Sequence, residues 1–281
     1  MTNLNTLLEY LDEDMNEAAK SVREAISEKL AAFTSNNSII LYNPRAALSA
    51  TKDNIDNGYN IEDTISFNNA IVGYVLFDQN DICKAYEVKQ SAALQGYGPL
   101  LYDLVLSHIY PGFLMSDRTS VSKQARNVWN FYLNNRPDVN KELLTSIFDD
   151  KDNPNIYCTL PTEAIDRNTV YPLISAVDHL QTELKDAIDF EDSPKSIVKL
   201  QAQLDKATTK AKAALSKIPE AHKYQIRSPK GLTALKNNHS RYIEAVKALL
   251  PKSKLYKGFK VIDSLQTNLQ DAADNFFNDM Y

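Results

Sequence analysis

The stretch at positions 94–103 reads LQGYGPLLYD, and two of the chain's seven glycines lie in it. Before it runs ICKAYEVKQ (82–90), a strand pattern; after it runs PLLYDLVLSHIY (99–110), an apolar helix pattern with Pro99 suited to the first turn. Glycine lets the backbone turn sharply and approach a ligand closely. The N–H groups at a helix start point outward with the positive end of the helix dipole behind them, a setting that accepts a phosphate. Gln95-Gly96-Tyr97-Gly98 is therefore read as a strand-to-helix turn able to hold an anion.

Working outward, SIILY (38–42) is a short strand and PRAALSATKDNID (44–56) a helix. NAIVGYVLFD (69–78) is β-branched and aromatic and ends at the turn signal DQND, so 69–90 reads as a hairpin. GFLMSD (112–117) is a short strand, SVSKQARNVWNFYLNN (120–135) a helix capped by Ser120 or Ser122, and NIYCTLP (155–161) a last strand. The order predicts an α/β unit with a mixed sheet over 36–160.

Leu4, Leu8, Leu11, Met15, Ala18, Val22, Ile26 and Leu30 recur at helical spacing, which predicts one long amphipathic helix within 1–35. From 161 to 281 the pattern is helical. Two segments, SPKSIVKLQAQL (193–204) and SPKGLTALKNNH (228–239), open with Ser-Pro-Lys, serine as cap and proline as first helical residue. A final helix is expected near 256–277. The expected fold class is α+β/α, a mixed sheet with flanking helices plus an N-terminal long helix and a C-terminal helical bundle that packs with it.

The net charge of −5 conceals an asymmetry: residues 193–260 hold sixteen Lys and Arg against Asp205, Glu220 and Glu244, a net of +13. Such a segment binds nucleic-acid phosphates or forms solvated helix faces that dock on acidic regions. Lysines outnumber arginines and few aromatics interleave, which favours the second reading over nucleic acid. Cys83 and Cys158 make neither a disulfide framework nor a metal or redox spacing, and no apolar run reaches the length of a membrane span. A soluble protein of a reducing compartment is expected. His108, His179, His222 and His239 show no metal-ligand spacing.

Strand, Gln-Gly-Tyr-Gly, helix, short strand, then a helix with ARNVWNFY resembles the GNAT superfamily of N-acetyltransferases, over residues 38–145. In that family the turn holds the pyrophosphate of acetyl-CoA. The resemblance implies acetyl-CoA as cofactor, held at Gln95, Gly96, Tyr97, Gly98 and Leu100. Gln95 matches the first motif position and Gly98 the fourth, while Leu100 stands where the family has a small residue.

The resemblance also implies a base and an acid. Glu87, on the strand that would face an amine acceptor, is the base candidate; an exposed strand carboxylate is its ordinary reading. Tyr132 is the acid candidate, one turn beyond the place the family gives a tyrosine, which Trp129 fills. Asp117 and Arg118 follow a strand end, where ligands bind in α/β sheets, and a helix-capping pair explains them equally well.

The same segments are similar to GNAT-like parts of tailed-bacteriophage proteins. Two functions follow from the resemblance: acetyl transfer from acetyl-CoA to an amine, or a non-catalytic virion, structural or interaction protein that keeps the fold and meets protein partners in an assembly through its helical regions. The implied location is cytoplasmic, in the host cytoplasm, or the virion.

Overall fold

The structure is a computed structural model, and it describes residues 20–59, 64–67, 69–144, 156–163, 167–229, 231–250 and 258–280. In chain order the elements are α1 (Val22–Ser27), β1 (Ala31–Thr34), β2 (Ser38–Tyr42), α2 (Pro44–Asp56), β3 (Ile71–Asn80), β4 (Ala85–Ala93) and α3 (Gly98–His108). There follow β5 (Leu114–Met115), α4 (Lys123–Asn135), β6 (Val139–Leu143), α5 (Ile156–Thr159), α6 (Arg167–Asp189) and α7 (Pro194–Leu215). A 3-10 turn (Pro219–Ala221), β7 (His222–Ile226), α8 (Leu232–Leu249) and α9 (Gly258–Met280) complete the elements of the described residues.

The seven strands form a mixed sheet of hydrogen-bonded order β1-β2-β3-β4-β5-β7-β6. β4 and β5 are parallel, with Tyr86 opposite Leu114 and Glu87 opposite Met115; β5 and β7 are antiparallel. No described helix is long and apolar enough to cross a membrane.

Several helix starts follow from local chemistry. Asn43 Oδ1 accepts the N–H groups of Arg45 and Ala46, and Pro44 opens α2. Ser122 Oγ accepts the N–H of Ala125 at the start of α4, and Ser193 does the same for Ser196 at the start of α7. Ser21 and Glu24 form a capping box on α1.

The expected helix over 4–33 is corrected within the described residues. α1 stops at Ser27, Lys29 turns the chain at φ 59°, and Ala31–Thr34 pairs with β2 as a strand. The part of the stripe from Leu4 to Ala18 lies outside the described residues. The strand expected at 155–161 is a short helix, α5. At the second Ser-Pro-Lys, Gly231 rather than Ser228 is the N-cap. β6 and β7 have no counterpart in the expectation.

The chain divides into two compact units: residues 1–78, 88–111 and 226–281 in one, 79–87 and 112–225 in the other. These boundaries cross those read at 35 and 160, because each unit is assembled from separated segments. In the first unit, Ile40 and Tyr42 of β2, Tyr74 of β3 and Ala47 of α2 share a core with Tyr242 and Val246 of α8 and Leu265, Leu269 and Ala273 of α9. The last two helices therefore complete a sheet core and do not form a bundle of their own. Tyr42 is its hub: its ring meets Phe67 and Tyr242 edge-on, and its hydroxyl lies 2.8 Å from His239 Nδ1. Burial pushes His239 down to about 4.

In the second unit, α6 and α7 form an antiparallel hairpin around Val170, Ile174, Val177, Leu184, Leu204, Ala211 and Leu215. The +13 segment thus belongs to both units: α7 and all of β7 but Ile226 lie in one, α8 in the other.

Gly231 sits at φ +66°, and a Cβ there would lie 2.0 Å from Val22 Cγ1. Gly231→Ala is expected to lower stability by about 2 kcal/mol, roughly half from the left-handed backbone and the rest from the clash. In urea titrations Val22→Ala should recover the steric part alone.

Candidate functional site

Arg118 is fully buried, although it follows β5 in a connecting segment. A guanidinium carries five donors and keeps its charge, so burial requires acceptors on every side. They are present. Nε donates to Ser116 O at 3.0 Å, Nη1 to Cys158 O at 3.2 Å, and Nη2 to Glu220 O at 2.9 Å and to Ser116 Oγ. Its backbone N–H donates to Glu87 Oε1 at 2.8 Å.

Glu87 is 1% exposed, and its second oxygen accepts from Asn80 Nδ2 at 2.8 Å. Asn80 Oδ1 accepts the N–H of Cys83 at 3.0 Å. Cys83 is joined to Cys158 by a disulfide, and Cys158 O is the acceptor already met by Arg118. The connections close on themselves: Arg118, Glu87, Asn80, Cys83, Cys158 and back to Arg118. The disulfide sits in an apolar cluster with Ala85, Met115 and Leu144.

The disulfide corrects the expectation of free cysteines. Its partners are 75 residues apart and meet only because the β3–β4 turn and α5 converge. Disulfides belong to oxidising surroundings, so the basis for a reducing compartment is removed.

Tyr132, on α4, is completely buried. Its ring meets Tyr224 edge-on at 5.8 Å, and the Arg136 guanidinium lies 4.8 Å above it. Trp129 stacks on Tyr224 at 5.3 Å. Arg126 of the same helix reaches back to Glu220, Nε to Oε1 at 3.1 Å. Asp117 does not cap α4; its Oδ1 accepts the N–H groups of Thr119 and Ser120 in a local turn. Arg118, Glu87, Cys158 and Glu220 stand out in the sequence only singly and in other connections, and Asn80 and Ser116 carry no pattern that singles them out.

The glycine turn lies in the first unit. Gly96 adopts φ +86°, and Gly98 is the first residue of α3. Tyr97 is the N-cap, and no side chain caps the helix among the described residues. Leu100 is fully buried. The segment at α1 is bonded to this turn: Lys20 N–H donates to Gly96 O at 2.8 Å, and Tyr97 Oη donates to Glu28 Oε2 at 2.6 Å. Lys20 Nζ pairs with the other Glu28 oxygen at 3.0 Å. The Tyr97 hydroxyl and then Lys20 hold the Glu28 carboxyl below its ordinary range, and burial followed by the Glu28 carboxylate pushes Tyr97 up to about 12.

Among the described residues no group of histidine, cysteine and carboxylate side chains could hold a metal ion. His179 pairs with Glu183 one turn along α6, and His222 Nδ1 lies 2.9 Å from Ile218 O. No family model, curated protein or solved structure matches the chain.

The buried network predicts stability effects. Arg118→Lys keeps the charge but loses the planar fork, and should cost about 2–4 kcal/mol. Glu87→Gln turns one acceptor into a donor facing a donor, and should cost about 1–3 kcal/mol. Both are read by urea denaturation; an exposed base at position 87 would leave stability unchanged.

Proposed function

We propose that this chain is a GNAT-like protein that uses its fold for binding and assembly rather than for acetyl transfer. The observation that carries this reading is the state of Glu87. Both of its oxygens accept hydrogen bonds, from Arg118 N–H and from Asn80, in a site with 1% exposure. A general base must reach the proton it removes, directly or through one water. Tyr132, buried among Trp129, Tyr224 and Arg136, is placed for packing rather than for proton delivery to a thiolate.

The strand, glycine turn, helix, strand and helix on which the GNAT resemblance rests are present as β4, residues 94–97, α3, β5 and α4. The virion role implied by the likeness to phage proteins is compatible with the disulfide, since assembled particles meet oxidising surroundings.

One observation favours a second reading, in which the fold still holds acetyl-CoA. The start of α3 has no side-chain cap among the described residues, and it follows a glycine at positive φ. Against it, Glu28 brings a carboxylate to Tyr97 at this turn.

The test is acetyl-CoA titration by calorimetry together with thiol release in the presence of a panel of amines. The proposal predicts no amine-dependent thiol release. Binding without release would assign the turn as a cofactor-holding site in a protein that does not turn over. Amine-dependent release that is abolished by Gly98→Glu in a folded chain would overturn the proposal.

A further inference from the structure

The end of the α6–α7 hairpin exposes apolar side chains that the core does not need. Ile188 is 54% exposed, Phe190 80% and Val198 69%. Phe190 is held in a fixed turn: its N–H donates to Asp186 O, Glu191 takes φ 56°, and Asp192 N–H donates to Ala187 O at 2.9 Å. Beside it lies an open groove of about 310 Å³, lined by Glu183, Asp186, Ala187, Phe190, Asp192 and Leu200. Its lining combines the apolar Ala187, Phe190 and Leu200 with the carboxylates of Glu183, Asp186 and Asp192.

Charge is segregated along the same hairpin. Residues 183–192 hold five acids and one lysine, whereas 195–212 hold five lysines and one acid. Lys195, Lys199, Lys206 and Lys210 fall on one side of α7, opposite Leu204, Ala211 and Leu215, and Val198 adjoins them. Among the described residues none of these four lysines is paired with Asp186, Asp189, Glu191 or Asp192. The hairpin therefore carries a groove lined by acidic and apolar side chains and, along α7, a basic strip with an exposed valine. Each is complementary to the other, and the intrahairpin packing does not bring them together.

We propose that the hairpin end is a self-association surface, in which the Lys195–Val198–Lys199 strip of one chain seats in the Phe190 groove of a second copy, and the reverse contact forms about a two-fold axis. A surface that carries both halves of a complementary pair fits the isologous geometry of a two-fold dimer. The exposed apolar groups supply burial, and the opposed charges set register and orientation. This holds whether or not the chain transfers acetyl groups.

The test uses the full chain in sedimentation velocity across the micromolar range at low and high salt. A dimer that weakens with salt is expected. Phe190→Ser, the pair Glu183→Lys with Asp186→Lys, and the pair Lys195→Glu with Lys199→Glu should each weaken it by about tenfold or more. All these side chains are exposed, and unchanged circular dichroism confirms that each variant folds. Mixing the two charge-reversed chains should restore a mixed dimer, an outcome that general loss of solubility or fold does not produce. A wild-type chain that stays monomeric, including one that instead captures a basic amphipathic peptide, overturns the proposal. So does a dimer indifferent to these substitutions.

Discussion

A guanidinium without access to water must be met by acceptors on every edge, and Arg118 imposes that demand on the second unit. The acceptors come from widely separated positions: Ser116 beside it, Cys158 on α5 and Glu220 in the 3-10 turn. Leaving a buried donor without its acceptor costs about 1–3 kcal/mol, and more where the group is charged. Glu87 enters the network through the backbone of Arg118, and Asn80 and the disulfide return the chain of contacts to its start. The chain-entropy model assigns a cross-link over a loop of this length about 4 kcal/mol. The covalent bond and the hydrogen bonds hold the same few atoms.

This arrangement bears on chemistry as well as on stability. The Glu87 carboxylate stands on β4 beside the parallel strand β5. Here that carboxylate is bonded across to the segment after β5. At the glycine turn, the backbone at Lys20 and the Glu28 carboxylate hold Gly96 and Tyr97. The Glu87 carboxylate and the glycine turn are both engaged by the chain itself.

Elements with a local chemical signature were legible in the sequence. Ser122 and Ser193-Pro194 mark helices that start where their caps stand, the helix read at 44–56 begins at Pro44, and SIILY and the 69–90 hairpin are strands. What failed depends on distant partners. Residues 31–34 continue a helical stripe in sequence, yet they pair with β2 because Lys29 ends the helix in a left-handed conformation. VNKEL and HKYQI, β6 and β7, are too polar and short to stand out, and each becomes a strand through its neighbours in the sheet. Glu87 reads in sequence as a base candidate or an exposed strand carboxylate, because nothing nearby announces Asn80 or the Arg118 amide as its partners. The disulfide was hidden for the same reason.

The disulfide and the Glu87–Arg118 contacts form one mechanical unit. Native-state hydrogen exchange of the Arg118 amide, measured with the disulfide intact and after reduction, tests it most directly. In the oxidised protein the Arg118 amide should be strongly protected, together with the amides of Cys83 and Thr162. On reduction all three should lose protection in step, while amides in β1 and β2 keep theirs. Rapid exchange of the Arg118 amide in the oxidised protein, or protection unchanged by reduction, would contradict the account.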